Sequence, residues 1–127
     1  MSLDYPAIVL SKFGLPLVAA VAISKLVKES RPMSLTELSR ATGYAKSHLS
    51  IALRLLEEKR MVTRMKSKGR RVLFVASRNA VLKLVREYIM ELKNEITYLS
   101  SEFSSQPLGK KLMRFEEELE RLLEILE

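Results

Sequence analysis

The densest group of side chains that could do chemistry lies between residues 46 and 71, and it is cationic. Hydrogen-bond donors stand close together near its start: Lys46, Ser47, His48, Ser50 and Arg54. A second set surrounds a glycine further on: Arg64, Lys66, Lys68, Arg70 and Arg71. Lysine, arginine and hydroxyl groups donate to phosphate oxygens, and arginine can bind guanine through two hydrogen bonds. The pattern therefore indicates a surface that binds nucleic acid.

The net charge is concentrated in the same part of the chain. The 127 residues carry a formal charge of +7. Residues 40–86 hold thirteen basic and two acidic side chains, a net charge of +11, whereas residues 1–39 carry only +1. Residues 87–127 hold five basic and ten acidic side chains, a net charge of −5. This distribution predicts one basic element that meets phosphates and an acidic tail that is held away from them.

Other chemistries lack the residues that they need. The chain has no cysteine, one histidine and one aspartate, so thiol catalysis and disulfides are excluded and His48 has few candidate co-ligands. No glycine-rich phosphate loop or nucleophile-elbow motif is present, and we expect no enzyme activity, no cofactor and no metal. The longest apolar run has nine residues, well short of the ~20 that span a bilayer. We expect a cytoplasmic protein without membrane contact.

Hydrophobic periodicity predicts helices ahead of the basic group. A short helix over residues 5–13 precedes a longer one over 16–29. Ser34 and Glu37 have the capping-box spacing, which predicts that a further helix starts at Ser34 and ends near residue 41. Ser34 and Thr36 would then lie at its N-terminal end, where they are phosphate-contact candidates.

The basic group itself is predicted to lie on a helix and a hairpin. Leucines repeat at helical spacing over residues 45–59, which predicts a helix whose donors face away from the core. Two β-like runs surround a turn that contains Gly69, and they predict a β-hairpin within residues 61–76. The order helix, helix, turn, helix, hairpin is that of a winged helix-turn-helix, in which the third helix enters the major groove.

Two long helical regions follow, each with an apolar stripe. The first stripe consists of Val85, Tyr88, Leu92, Ile96 and Leu99. The second is a heptad seam: Leu108, Leu112, Phe115, Leu119, Leu122 and Leu126. A heptad seam requires a partner helix, which is either the preceding helix of the same chain or a helix of another subunit. We assign both stripes to dimerisation, because winged-helix proteins read paired half-sites.

The central segment resembles a known family. Leu53-Arg-Leu-Leu-Glu-Glu-Lys-Arg-Met-Val62 is similar to the end of the recognition helix in MarR-, ArsR- and TrmB-type winged-helix transcription regulators. Ser34-Leu-Thr-Glu-Leu-Ser-Arg-Ala-Thr-Gly43 resembles their second helix, and Lys66-Ser-Lys-Gly-Arg-Arg71 resembles their wing. The likeness covers residues 15–77, and small archaeal regulators with a helical tail are similar overall. One departure is Arg60, which stands where the family usually has the glycine that ends the helix.

The expected fold is mostly α with a small β-hairpin. Residues 1–77 form a winged helix-turn-helix DNA-binding domain, and residues 78–127 form long helices that make an antiparallel coiled coil or dimer interface. The resemblance implies a homodimeric, sequence-specific regulator of transcription that binds double-stranded DNA. Its recognition helix, 45–59, would lie in the major groove and its wing, 61–76, on the backbone or minor groove. The alternatives are a sequence-independent chromatin protein and a winged-helix protein-interaction module, and a small-molecule effector is left open.

Overall fold

The computed structural model describes residues 4–69 and 71–126, so the predicted wing contact Arg70 lies outside the described residues. Within these ranges the chain forms six helices and three strands. In chain order they are α1 (Tyr5–Ser11), α2 (Leu17–Glu29), β1 (Met33–Ser34), α3 (Leu35–Thr42), α4 (Lys46–Glu58), β2 (Val62–Lys66), β3 (Val72–Ala76), α5 (Ala80–Glu102) and α6 (Pro107–Ile125). The chain divides into two compact units, Met1–Val81 and Leu82–Glu127. The predicted mostly helical fold with a small hairpin is confirmed.

The core of the first unit is built from the apolar faces of α2, α3 and α4. The buried side chains include Ala19, Ala22, Ile23, Leu26, Leu38, Leu49, Ala52, Leu53 and Leu56. Those of α4 recur at the helical spacing predicted from the sequence, so the remaining positions of this helix face outward. Small alanines on α2 let neighbouring helices approach closely, and α2 packs against both α3 and α4.

The start of α3 is fixed by the predicted capping box. Ser34 Oγ accepts a hydrogen bond from the backbone N–H of Glu37 at 3.1 Å, and Glu37 Oε1 accepts one from the backbone N–H of Ser34 at 3.1 Å. Gly43 ends the helix at a φ of 80°, a conformation that favours glycine. Ser39 Oγ then donates to the carbonyl of Tyr44 at 2.7 Å, which braces the turn that orients α4.

The hairpin of β2 and β3 is antiparallel, with Thr63 opposite Val75 and Met65 opposite Leu73. Its turn contains Gly69 at a φ of 85°. A third strand, β1, was not predicted; it pairs antiparallel with β3 and completes a sheet of order β1-β3-β2. A two-residue strand is too short to show an alternating pattern, so only its pairing partner identifies it.

Arg60 lies at the junction between α4 and the hairpin, where the resemblance predicts the end of the helix. Arg60 takes the left-handed conformation, with a φ of 61°. Its N–H donates to the carbonyl of Glu57 at 3.0 Å, and the N–H of Met61 donates to the carbonyl of Leu56 at 2.9 Å. This pair of bonds is the Schellman arrangement, and Met61 and Leu56, which occupy the positions of its usual apolar contact, are both buried. The helix therefore ends in the left-handed conformation that favours glycine, although arginine occupies the position.

In the second unit, α5 and α6 are joined by a short turn and run antiparallel. Lys93 Nζ on α5 lies 2.8 Å from Glu120 Oε1 on α6, so residues at similar distances from the turn lie side by side. Gly109 is buried close to the turn, and a β-carbon there would overlap the carbonyl oxygen of Phe103. The corner therefore requires glycine.

The heptad seam of α6 separates into two columns of residues spaced seven apart. Leu119 is 4% exposed, and Leu112 and Leu126 of the same column are half-buried. In the other column, Leu108, Phe115 and Leu122 are 46%, 41% and 44% exposed. On α5, Val85, Leu92 and Ile96 are half-buried, whereas Tyr88 and Leu99 are exposed. A single chain thus covers only part of the apolar surface of this unit.

Candidate nucleic-acid interface

The predicted donors of α4 form its outward face. Lys46, Ser47, His48, Ser50 and Arg54 are all exposed. At 3.6 residues per turn, the line that runs through positions 47, 51 and 54 lies opposite the buried leucines. Lys46 lies to one side of this line, in the first turn. The helix therefore presents hydroxyl and guanidinium groups along its centre and a cation at its N-terminal edge.

Ile51 lies on the same line and was missing from the predicted interface. Its side chain is 68% exposed, one of the largest exposed fractions among the apolar side chains of the described residues. An isoleucine carries no hydrogen-bond donor and no charge, so a prediction based on donors and cations does not include it. Its neighbours at helical spacing, Ser47 and Arg54, are both predicted DNA contacts.

The wing, which follows α4 in the chain, carries exposed cations. Lys66 ends β2 and Lys68 lies in the turn, and both are exposed. Arg71 is also exposed but has partners within the protein, because its Nη2 lies 3.5 Å from Ser34 Oγ and 4.0 Å from Glu37 Oε1. Lys66 and Lys68 are therefore the described wing cations best placed to meet phosphates.

Arg64 on β2 connects the wing to α4. Its Nη2 and Nε lie 3.0 Å and 3.2 Å from Glu57 Oε1. Its guanidinium carbon also lies 5.3 Å from the centroid of the Phe74 ring, within the range of a cation–π contact. The side chain is still half exposed, so it combines a bracing contact with a cationic surface.

The two predicted phosphate contacts on α3 differ in their surroundings. Ser34 is only 6% exposed, and its hydroxyl already caps the helix. Thr36 is half-buried. Ser34 is thus placed to position α3, whereas Thr36 retains some accessible surface. Hydrogen bonding from the backbone of Ser34, helped by the side chain of Arg31, lowers the pKa of Glu37 and keeps this cap charged.

Cations on the first unit are partly neutralised by a local network. Glu37 lies 2.9 Å from Arg31 Nη1, and Glu29 lies 3.9 Å from Arg31 Nε. These ion pairs are on the α2–α3 side of the unit and involve none of the α4 donors named above.

Among the described residues, no helix is both long and apolar enough to cross a bilayer.

The fold is that of known winged-helix regulators. A crystal structure of a transcriptional regulator aligns with 97% of this chain and 88% of its own, with a TM-score of 0.63 and 19% identity. MepR, a transcription regulator of the Staphylococcus aureus multidrug efflux pump MepA, aligns with 98% of this chain and 89% of its own, with a TM-score of 0.53 and 18% identity. The likeness extends over the helical tail as well as the winged unit. The fold is therefore a winged helix followed by a helical tail.

A third similar structure is that of a protein named for a role in chromatin rather than in the regulation of transcription. TrmBL2, an archaeal chromatin protein, aligns with 98% of this chain and 42% of its own, with a TM-score of 0.57 and 20% identity. This chain therefore spans less than half the length of that protein. No protein-family model matches the sequence, and no curated protein matches it either.

Proposed function

We propose that the protein is a sequence-specific regulator of transcription that binds double-stranded DNA as a homodimer. The observation that carries this proposal is the outward face of α4, which presents Ser47, Ser50 and Arg54 in the same unit as an exposed cationic wing. A helix of this width fits the major groove. In this arrangement Arg54 is suited to guanine, and Lys46, Lys66 and Lys68 to phosphates.

The wing would follow the backbone or the minor groove beside the recognition helix. The proposed DNA contacts are those predicted from the sequence, except that Ser34 is assigned a supporting role inside the protein. Ser34 supports α3 from within the protein, and Thr36 is the phosphate contact at that end of the helix. Arg64 and Arg71 contribute positive charge while they brace the wing against α4 and α3.

Selection of bound fragments from a random duplex library tests the proposal. Arg54→Ala should lower affinity for the selected site by about 1–3 kcal/mol and relax the preference at one base pair. Lys68→Ala should weaken binding to all sequences alike and reduce the slope of log K against log salt by about 0.9. Lys111→Ala, an exposed cation on α6, is the matched control and should change neither quantity. Recovery of no preferred sequence would refute specific regulation.

The homodimer is supported by the second unit. The column Leu108, Phe115 and Leu122 stays exposed at heptad spacing, which suits the packing of another helix. Phe115→Glu should shift the mass measured by light scattering from dimer to monomer, whereas Glu117→Lys on the same helix should leave it unchanged. A monomeric mass for the unmodified protein at micromolar concentration would contradict the proposal. A dimer should protect paired half-sites about 10 base pairs apart.

The second candidate is a sequence-independent chromatin protein. It is favoured by the likeness to TrmBL2, whose described role is in chromatin. Both candidates predict strongly salt-dependent binding, because cations that neutralise phosphates release counterions. They differ in the ratio of affinities for selected and random duplexes, which should reach about 1,000-fold for a regulator and stay close to unity for a chromatin protein.

A further inference from the structure

The exposed face of α4 has an apolar side chain at its centre. Ile51 is 68% exposed, and its nearest neighbours on the outward line are the polar residues Ser47 and Arg54. Isolated apolar residues are common on protein surfaces, so exposure alone carries no meaning. The residue type is more informative. A β-branched side chain is a poorer helix former than the lysine, glutamate or alanine that usually occupy exposed helical positions, so helix stability does not account for isoleucine here.

The position of Ile51 relative to Arg54 would place its side chain near a base pair. Along the helix, Arg54 lies about 4.5 Å beyond Ile51, and successive base pairs are about 3.4 Å apart. A helix that brings Arg54 to a base edge therefore brings Ile51 to an adjacent base pair. Serine and arginine can satisfy hydrogen-bonding atoms there, but isoleucine cannot.

The major-groove edge offers one apolar group, the 5-methyl of thymine. We propose that Ile51 determines sequence specificity by packing against a thymine methyl group, so that each half-site has an A·T pair next to the pair bound by Arg54. This inference rests on the proposed function and deepens it, because it names a chemical feature of the DNA that the protein selects. It also explains why an apolar residue is left exposed among polar ones.

Removal of the methyl group from the DNA tests the proposal directly. Each thymine of the selected duplex is replaced in turn by deoxyuridine, which lacks only the 5-methyl group. At one position in each half-site this change should weaken binding of the unmodified protein about fourfold, as expected for one buried methyl group. Ile51→Ala should weaken binding to the thymine duplex by a similar or larger factor and should no longer respond to deoxyuridine.

Met65→Ala provides the matched control. Met65 is another exposed apolar side chain of the same unit, but it lies on β2 in the wing. This variant should keep the full response to deoxyuridine. Ile51→Ala replaces an exposed residue with a better helix former, so it should fold and melt like the unmodified protein.

The possible outcomes separate this inference from the function on which it rests. If a preferred duplex is selected but deoxyuridine has no effect at any position, or if Ile51→Ala still responds to it, the methyl contact is refuted and specific DNA binding stands. Loss of the response in Met65→Ala instead would also overturn the assignment to Ile51. If no preferred duplex is selected, the proposed function fails and this inference fails with it.

Discussion

The guanidinium group of Arg64 on β2 lies 3.0 Å from the carboxylate of Glu57 on α4, and this ion pair ties the wing to the helix that carries the predicted base contacts. Since α4 ends at Glu58 and the chain turns sharply at Arg60, the contact bridges the two arms of that turn. In the proposed DNA complex, the relative positions of helix and wing would decide which phosphates the wing cations reach. A contact at this point therefore stabilises the geometry of the interface.

The pair should contribute little to the free energy of unfolding, because both side chains are partly exposed. A double-mutant cycle of Arg64→Ala and Glu57→Ala, measured by urea unfolding, should give a coupling energy of about 0.2–1 kcal/mol. The corresponding cycle with Glu58→Ala should give none, since Glu58 is exposed and Arg64 pairs with Glu57. A coupling energy well above this range would mean that the pair is more shielded from water than its exposed side chains indicate.

Replacement of Arg60 by glycine should stabilise the protein. A residue other than glycine costs about 1–2 kcal/mol in the left-handed conformation, and the greater freedom of glycine in the unfolded chain offsets part of the gain. Arg60→Gly should therefore raise the free energy of unfolding by about 1 kcal/mol, or the melting temperature by about 4 °C. Arg60→Ala removes the same side chain without relieving the backbone and should show no such increase. Equal stability of the two variants would argue against strain at this residue.

The capping box of α3 should make stability depend on pH at the acidic end. The pKa of Glu37 is lowered from its ordinary value of 4.5, first by the hydrogen bond from the Ser34 backbone and next by Arg31. A lowered pKa means that the charged group stabilises the folded state above pH 4.5, and that this stabilisation is lost as the pH falls through the folded-state value. Urea unfolding between pH 7 and pH 3 should detect it.

Glu37→Gln keeps a side chain that can complete the capping box but removes the charge. Its stability deficit should be constant at neutral pH and should shrink below about pH 4.5, where the unmodified protein loses its advantage. Glu120→Gln, at a carboxylate that pairs with Lys93 in the second unit, serves as the comparison. A deficit for Glu37→Gln that grows on acidification would contradict the assigned direction.

Substitution of Gly109 should destabilise the helical tail. A β-carbon would meet the backbone of Phe103 and Ser104, which cannot move aside as a flexible side chain can. Gly109→Ala should lower the free energy of unfolding by about 1–3 kcal/mol in spite of the better helix propensity of alanine. Lys110→Ala, the exposed neighbour on the same turn, should be neutral or slightly stabilising. A stable Gly109→Ala variant would mean that the α5–α6 corner opens at little cost.

Features that depend on local spacing could be predicted from the sequence. The burial of Leu49, Leu53 and Leu56 follows from a period of 3.6 residues, and the start of α3 follows from Ser34 and Glu37 three positions apart. The hairpin follows from two apolar runs around Gly69. The cationic nature of the interface follows from the charge of residues 40–86. In each case the information lies in the spacing or composition of one continuous stretch of sequence, so no contact with a distant segment is needed to predict the feature.

Features that depend on residues far apart in the chain could not be predicted and follow from the packing of the folded protein. Met33 forms a strand because Phe74 lies beside it, and Arg71 is engaged because Ser34 and Glu37 are within reach. The seam of α6 divides into a more buried column and a more exposed column, which its heptad spacing alone does not distinguish. Ile51 has the same apolar character as its buried neighbours, and only the direction in which α4 packs leaves it facing outward. Packing against distant segments determines which local possibilities are used, and spacing within the sequence does not contain that information.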